Sequence, residues 1–290
     1  MRSRQLRQSS ICQFSTSTWK LTEDIVRYKN YGIESIGVWR RKLEACGLEQ
    51  AVDLLFDSKL NVSSLHWSGG FTGADSTRDE AIEDTYDAIR LAARINAGTL
   101  LVHPGASNGH IFNHIHRVVR DSYEQTLTFA EDYGVSISIE PILDHPYSPW
   151  TIYQSLDQYL ELLDEFPNLG ICLDLYHVGL FDEAFDRLAE YADRIKLVQL
   201  ADRTMESLTR SQAFTNRRYQ YRLPLGQGDI AIESWLERLQ SFGYRGPYEV
   251  EIHGIGGPRE SHFRTLDDAS AFFANQFSVA KPGSKIRLDA

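Results

Sequence analysis

The sequence predicts a single α/β domain with the fold of a (β/α)8 barrel, also called a TIM barrel. Short apolar runs rich in β-branched residues alternate along the chain with longer amphipathic segments, which is typical of parallel strands joined by helical crossovers. Eight such units fit within the 290 residues of the chain, a usual size for this barrel. The sequence lacks the GxGxxG turn that an open dinucleotide-binding sheet carries after its first strand.

The predicted strands are runs of four to seven residues that are rich in β-branched and other apolar side chains. They lie at residues 11–14, 32–38, 62–66, 99–103, 135–140, 170–174, 195–200 and 248–252. Their regular recurrence along the whole chain favours one closed barrel over two smaller domains.

The segments between these runs carry helical patterns, and residues 77–97 are the clearest example. Thr77 begins this segment, and Asp79 and Glu80 fall in the first turn, where acidic residues are favoured. Its apolar residues share one helical face: Ile82, Tyr86, Ile89 and Ala93. Further helices are predicted at residues 113–133, 152–166, 180–191 and 232–242.

The longest stretch without such a pattern is residues 204–228, after the seventh strand. A loop of this length in a compact domain is usually functional or mobile, so we predict a lid or a wall of the pocket there. The barrel is predicted to span residues 10–279, with residues 1–9 as a flexible overhang and residues 280–290 as a C-terminal tail.

The composition excludes several classes of partner. The net charge of −10 argues against nucleic acid, because phosphate binding needs a clustered basic surface. Cys12, Cys46 and Cys172 lie far apart without CxxC spacing, which favours free thiols. No stretch approaches the ~20 apolar residues of a membrane helix, and no apolar run follows the basic N-terminal residues. We therefore expect a cytoplasmic protein that binds neither nucleic acid nor a membrane.

Polar side chains end the last four predicted strands: Glu140, Asp174, Gln199 and Glu251. The carboxyl ends of the strands meet at one mouth of such a barrel, where catalytic groups lie. Carboxylates crowded there repel one another, and a divalent cation removes that conflict. Oxygen ligands favour Mn2+ or Mg2+, although Co2+ and Zn2+ are also compatible. Glu249 points to the same face as Glu251, and Glu251 is chosen because it lies nearer the mouth.

Each of these residues, taken alone, also fits a structural role. An acidic residue after a strand is often a helix N-cap or a surface group, and a lone Gln is often a structural hydrogen bonder. His66 and His103 close strands three and four, so they fit either a pocket wall or a satisfied core position. Trp39 lies near a strand end, where its ring fits a sugar-stacking surface or a rim of the core. The joint occurrence of four polar strand ends favours a site.

Five stretches of the sequence carry a family resemblance. They are residues 138–141 (Ser-Ile-Glu-Pro), 172–177 (Cys-Leu-Asp-Leu-Tyr-His), 198–203 (Val-Gln-Leu-Ala-Asp-Arg), 226–230 (Gly-Gln-Gly-Asp-Ile) and 246–252 (Gly-Pro-Tyr-Glu-Val-Glu-Ile). Over about residues 10–278 the chain resembles the xylose isomerase-like TIM-barrel superfamily, the sugar phosphate isomerase/epimerase group.

The resemblance implies that four residues bind a metal ion: Glu140, Asp174, Gln199 at the strand-seven position, and Glu251. It also implies that His177 and Arg203 touch substrate oxygens. The epimerases of this group commonly carry His at the end of strand seven. Gln199 departs from that pattern and is similar to the 3-dehydroshikimate dehydratase branch.

These observations predict a divalent-metal-dependent isomerase or epimerase acting on a small sugar or cyclitol by proton transfer through an enediolate-like intermediate. Glu140 and Glu251 are the predicted catalytic pair, one removing a proton and the other returning one. The first alternative is a metal-dependent dehydratase or lyase, of the 3-dehydroshikimate dehydratase type or eliminating from a keto-sugar. More remote alternatives are an endonuclease IV-like DNA repair enzyme and a binding barrel without activity. A homo-oligomer is compatible with a barrel of this size.

Overall fold

The protein is represented by a computed structural model that describes residues 9–73, 76–143, 150–213, 222–252 and 259–277. The predicted C-terminal tail, the overhang apart from Ser9, and the middle of the predicted loop 204–228 lie outside the described residues. Among the described helices, none combines the length and the apolar character that crossing a membrane requires.

Eight parallel strands form a closed barrel, and the chain passes from each strand to the next neighbour in order. The strands are β1 (Ser9–Cys12), β2 (Ser35–Trp39), β3 (Asn61–Gly69), β4 (Leu100–His103), β5 (Ile137–Ile139), β6 (Gly170–Asp174), β7 (Ile195–Leu200) and β8 (Tyr248–Val250). Pairing of β8 with β1 closes the ring, with Ser10 opposite Glu249. The predicted (β/α)8 architecture is therefore confirmed.

Helices surround the barrel and follow the strands. They are α1 (Leu21–Asn30), α2 (Arg40–Cys46), α3 (Leu48–Ser58), α4 (Arg78–Arg94), α5 (Phe112–Asp132), α6 (Leu156–Glu165), α7 (Leu175–Val178), α8 (Asp182–Ala189), α9 (Met205–Ala213), α10 (Ile232–Ser241) and α11 (Arg259–Phe277). The predicted start of α4 is correct: the Thr77 hydroxyl accepts from the backbone N–H of Glu80, and the Glu80 carboxylate accepts from the backbone N–H of Thr77.

The helices pack on the barrel through apolar stripes, as α5 illustrates. Ile115, Val119, Tyr123 and Leu127 are spaced by four residues and are buried. Burial of each such side chain contributes about 1.5–3 kcal/mol. The Tyr123 hydroxyl donates a 2.7 Å hydrogen bond to the carbonyl of Val102 in β4, so the buried polar end of the ring is satisfied.

The structure departs from the predicted boundaries at several elements. The first strand ends at Cys12 rather than Phe14, because residues Gln13–Thr16 form a 3-10 turn whose side chains bind the carboxylate of Asp24. β5 and β8 end at Ile139 and Val250, so Glu140 and Glu251 are the first residues beyond their strands. The prediction that residues 204–228 are irregular was wrong in part, because this segment contains α9.

Candidate active site at the mouth of the barrel

Three carboxylates from β5, β6 and β8 face the same end of the barrel. Asp174 is the last residue of β6, and Glu140 and Glu251 directly follow β5 and β8. Asp174 is fully buried, and Glu140 and Glu251 are 8% and 6% exposed. Charged groups this deeply buried require partners of opposite charge or a bound cation.

Two basic side chains show that these carboxylates converge. His177 Nε2 lies 3.7 Å from Glu140 Oε1 and 3.8 Å from Asp174 Oδ2. Arg222 places Nη1 2.5 Å from Asp174 Oδ2 and Nη2 3.4 Å from Glu251 Oε1. Asp174 is therefore the central carboxylate, with Glu140 on one side and Glu251 on the other.

Asp174 holds its position through its own backbone. Its Oδ1 accepts a 2.9 Å hydrogen bond from the backbone N–H of Tyr176 and caps the short helix α7. Its Oδ2 has no donor with hydrogen-bond geometry among the described residues, even though Arg222 Nη1 is close. This buried oxygen is thus held toward the mouth with an incomplete set of partners.

The crowding of the carboxylates changes how the site binds protons. Burial, together with the negative charges of Asp174 and Glu251, raises the pKa of Glu140 from its usual 4.5 to about 8, although His177 and Arg222 oppose the shift. Burial and the neighbouring His66 lower the pKa of His103 from 6.5 to about 3. His103, 3.8 Å from Glu140 Oε2, is therefore neutral at physiological pH.

This donor set fits a divalent cation. Among the residues that the structure describes at the mouth, the carboxylates of Glu140, Asp174 and Glu251 face one guanidinium, that of Arg222. When all three carboxylates are ionised, their charge exceeds that of the guanidinium by two, which one divalent ion balances, and Asp174 Oδ2 offers a buried lone pair. Oxygen atoms of this kind are the ligands that Mg2+ and Mn2+ prefer. Glu140, Asp174 and His177 also offer ligand atoms within 4.8 Å of one another.

Gln199 lies in the barrel next to this group and is fully buried. Its amide nitrogen donates to Glu249 Oε1 in β8 at 3.0 Å and, at a short distance, to Oε2 of Glu251 just after that strand. Its amide oxygen accepts from the thiol of Cys172 at 3.2 Å. The structure places Gln199 beside the carboxylates, and metal ligation by its oxygen stays a prediction.

Glu249 is the residue that the sequence reasoning passed over in favour of Glu251. It lies one layer deeper on the same face, fully buried, and its Oε1 is 3.0 Å from His66 Nε2. Burial alone would lower the pKa of His66, but the hydrogen bond and the charge of Glu249 outweigh it, and the pKa lies above 6.5. His66 thus pairs with Glu249 inside the barrel, and its predicted substrate contact stays untested.

Aromatic rings line the mouth next to His103. The ring of Trp67 lies 4.5 Å from that of Trp150, and the His103 ring lies 5.4 Å from Trp150. Trp39 belongs to a separate contact: it is half-buried, and its ring packs 4.9 Å from Phe14. The predicted roles of His103 and Trp39 in binding substrate stay predictions.

Two arginines follow β7, and both guanidiniums lie over the ring of Tyr176. Arg203, predicted to touch substrate, is fully buried with its guanidinium 4.2 Å from the centre of the Tyr176 ring, and it donates to the carbonyl of Tyr176 at 3.2 Å. Arg222 is the arginine that reaches the carboxylates, and the sequence reasoning missed it. The role predicted for Arg203 stays untested.

Contacts of the backbone and the carboxylate of Asp202 place Arg222 at the mouth of the barrel. Leu223 pairs with Asp202 in an antiparallel bridge. The Asp202 carboxylate accepts hydrogen bonds from the backbone N–H groups of Gly226 (3.0 Å) and Gly228 (2.8 Å). A side chain at Gly228 would collide with Asp202. The Gly-Gln-Gly-Asp stretch was therefore the sequence signal for a chain that returns to the mouth.

The sequence profile of the xylose isomerase-like TIM barrel family matches residues 25–272. The chain is 24% identical over 185 residues to the uncharacterized protein MJ1311 of Methanocaldococcus jannaschii and 26% identical over 123 residues to a ketose 3-epimerase of Arthrobacter globiformis. These matches cover 62% and 42% of this chain. They span 59% and 36% of the two relatives' own lengths.

Solved structures share the fold over nearly the whole chain. Protein SMc04130 from Sinorhizobium meliloti 1021 superposes with a TM-score of 0.80 at 23% identity, covering 94% of this chain and 98% of that one. The IolI protein with a bound zinc atom gives 0.77 at 17% identity, covering 94% and 100%. The 3-keto-D-glucoside 4-epimerase YcjR from E. coli gives 0.73 at 14% identity, covering 92% and 99%. Because the family profile runs from α1 to α11, the chain belongs to the xylose isomerase-like TIM barrel family.

Proposed function

We propose that this protein is a divalent-metal-dependent isomerase or epimerase that moves a proton next to the carbonyl of a small polyhydroxylated substrate, a sugar or cyclitol. The observation that carries the proposal is the convergence of Glu140, Asp174 and Glu251, seen in their shared contacts with His177 and Arg222. Buried carboxylates in excess of their basic partners are costly unless a cation or a ligand completes the site.

Glu140, Asp174 and Glu251, with the amide oxygen of Gln199, would hold the cation. Their oxygen donors favour Mn2+ or Mg2+. When bound, the ion supplies Lewis-acid stabilisation of the negative charge that develops on the substrate oxygens as the enediolate-like intermediate forms. The similarity to a ketose 3-epimerase supports this chemistry for the family to which the chain belongs.

The chain itself supplies the proton transfer and the orientation of the substrate. Glu140 and Glu251 come from strands three places apart in the ring, so they approach a substrate carbon from different sides; one removes the proton and the other returns one. His177 and Arg222, which stand among the carboxylates, bind substrate hydroxyl or carbonyl oxygens.

The ring faces near the mouth suit a sugar-like substrate. Trp67 and Trp150 stand against His103 on the β3–β4 side, and Trp150 is 38% exposed. The apolar C–H face of a sugar or cyclitol packs on such rings, while its hydroxyls reach the charged side. The mouth thus has an aromatic wall and a charged wall, and a sugar or cyclitol has an apolar C–H face and polar hydroxyl groups to match them.

The reaction is tested by incubating the protein and Mn2+ with candidate ketoses, keto-glycosides and cyclitol ketones in D2O, followed by NMR. The proposal expects deuterium at a carbon next to the carbonyl with all carbons and oxygens retained. Loss of water from the substrate would instead assign the dehydratase or lyase reaction, which the same carboxylates can perform by expelling a β-hydroxyl group.

The site is tested separately with Glu251→Ala. We expect a fall of about 10²–10⁴-fold in turnover from the loss of one proton-transfer group, together with a lower metal content by elemental analysis. Glu237→Ala, which removes an exposed glutamate of α10, is the matched control and keeps both properties. Survival of both activity and metal content in Glu251→Ala would contradict the assignment.

A further inference from the structure

The proposed reaction makes no use of Glu249, although this residue lies beside the site. Strand residues two apart share a face, so Glu249 sits directly below Glu251 in the interior of the barrel, with no exposed surface. Gly37 on β2 leaves the space that the carboxylate fills, because a Cβ there would collide with it. The barrel is thus built around a second, deeper carboxylate.

Four side chains from β1 and β3 hold this carboxylate in one orientation. The hydroxyls of Ser63 and Ser64 donate to Glu249 Oε2 at 2.6 and 2.8 Å, and that of Ser10 lies at 3.4 Å. His66 Nε2 lies 3.0 Å from Oε1. A carboxylate has about four lone-pair directions, so this cradle satisfies most of them and prevents rotation of the group.

The second lone pair of Glu249 Oε1 faces the amide of Gln199. The amide nitrogen donates to it at 3.0 Å, and the amide oxygen turns to the opposite side, where Cys172 donates at 3.2 Å. If the amide oxygen and nitrogen exchanged positions, the oxygen would lie against the carboxylate oxygens of Glu249 and Glu251, and these would repel it. A thiol is a weak donor, so the amide oxygen exchanges this partner for a stronger one at little cost.

We propose that Glu249 is a positioning residue: it holds the amide nitrogen of Gln199, so that the amide oxygen is the atom presented to the metal ion. This inference rests on the metal site of the proposed function. Many metal-binding histidines donate a hydrogen bond to a carboxylate that does not itself touch the ion. Such a carboxylate fixes which atom of the histidine faces the ion and raises the basicity of the histidine. The inference assigns the same part to Glu249 for the amide of Gln199.

A double-mutant cycle on metal affinity tests the inference. Mn2+ binding is measured by isothermal titration calorimetry for the wild type, Glu249→Gln, Gln199→Ala and the double variant. We expect each single change to weaken Mn2+ binding by about 10–100-fold. The double variant should bind within about twofold of Gln199→Ala, since Glu249 acts through an amide that is no longer present.

The outcomes separate this inference from the proposed function. A wild type that binds no Mn2+ contradicts the proposed function and, with it, this inference. A wild type that binds Mn2+ while Glu249→Gln binds it equally well overturns the inference alone. Losses that multiply in the double variant also overturn it, because Glu249 then acts independently of Gln199. Glu237→Gln, at an exposed glutamate of α10, is the control and stays within about twofold of the wild type.

A second variant keeps the inference testable if Glu249→Gln does not fold. The exchange Gln199→Glu with Glu249→Gln preserves the total charge and one hydrogen bond between the two positions, with its direction reversed. We expect this exchange to bind Mn2+ within about tenfold of the wild type, and Gln199→Glu alone to bind more weakly than the exchange because two carboxylates then meet. An exchange that binds no better than Gln199→Glu alone overturns the inference.

Discussion

The protein buries two clusters of charged side chains that differ in how their charges are balanced. In the first, Asp24 of α1 meets Lys42 of α2 at 2.6 Å, and Gln13 and Thr16 donate to the same carboxylate at 2.6 and 2.7 Å. One negative charge faces one positive charge, and both carboxylate oxygens have donors. In the second, at the mouth, three carboxylates face the guanidinium of Arg222.

The difference separates a structural role from a functional one. Lys42 also donates to the carbonyl of Thr16 at 2.8 Å, so the first cluster ties the turn after β1 to two helices and is complete without a ligand. The mouth cluster leaves Asp174 Oδ2 without an aligned donor among the described residues and raises the pKa of Glu140 to about 8. Strongly perturbed groups of this kind cluster at functional sites, so the unbalanced charge favours a ligand site at the mouth.

Metal removal should have the largest effect and act on one cluster alone. Chelation with EDTA is expected to lower kcat/KM by about 10³-fold or more, because Lewis-acid stabilisation contributes several kcal/mol to the transition state. It should also remove about 2.7 kcal/mol of stability relative to protein at 100 times the metal Kd. Activity assays and urea unfolding, before and after Mn2+ is returned, measure both. Full activity in EDTA would contradict the assigned role of the mouth cluster.

Breaking the balanced cluster should cost stability instead of activity. Asp24→Asn leaves the Lys42 ammonium buried without its carboxylate, and Lys42→Met leaves the Asp24 carboxylate buried without its ammonium. Each variant is therefore expected to lower the free energy of unfolding by about 3–5 kcal/mol. The double variant removes both charges and should recover most of this loss. Urea unfolding in EDTA measures the stability, and Mn2+ titration of each folded variant should give the wild-type affinity. Single variants as stable as the wild type would contradict a structural role.

The imbalance at the mouth should also appear in the pH dependence of the metal-free protein. The pKa of Glu140 is raised to about 8 from 4.5, so the folded state binds a proton more tightly than the unfolded state. Its contribution to stability is complete below pH 4.5 and is lost as pH rises toward 8, by up to about 1.4 kcal/mol per pH unit. Glu140→Gln should remove this slope.

Unfolding free energies in EDTA from pH 5 to 8 measure the difference between the two proteins. The exposed Glu161→Gln variant of α6 is the control and should keep the wild-type slope. Equal slopes in wild type and Glu140→Gln would show that Glu140 ionises in the folded state as it does in the unfolded chain.

The two clusters also differ in how far the sequence could predict them. Glu140, Asp174 and Glu251 were found because strand ends share one mouth and side chains alternate along a strand, which are local rules. Arg222 reaches Asp174 only through the bridge between Asp202 and Leu223. The residues next to Arg222 predict no such return, and the one sequence signal for it is the Gly-Gln-Gly-Asp stretch at residues 226–229, whose backbone binds Asp202.

The same limit explains the elements that were missed. α9 begins where the carboxylate of Asp229, 24 residues later in the chain, accepts from the backbone N–H of Met205 at 2.8 Å, so its start signal is not adjacent in the sequence. Period-two alternation placed Glu249 and Glu251 on one face. It gave no sign that serines of β1 and β3 surround the deeper one.

Among these changes, removal of Arg222 should have the smallest effect on metal-dependent function, and the direction in which Mn2+ affinity moves is informative. Arg222 lies 2.5 Å from Asp174 Oδ2 and 3.4 Å from Glu251 Oε1, so its charge opposes a cation bound to the same carboxylates. Arg222→Met should therefore tighten Mn2+ binding by about tenfold or more, because a repelling charge buried beside the ion is removed, while turnover falls because a group that orients substrate oxygens is lost. Arg238→Met, which removes a surface arginine paired with Asp186, is the control for calorimetric titration with Mn2+. Weaker Mn2+ binding in Arg222→Met would mean that the guanidinium organises the carboxylates for the ion instead of competing with it. Arg222 would then play the part at the mouth that Lys42 plays beside Asp24, despite the excess of carboxylates there.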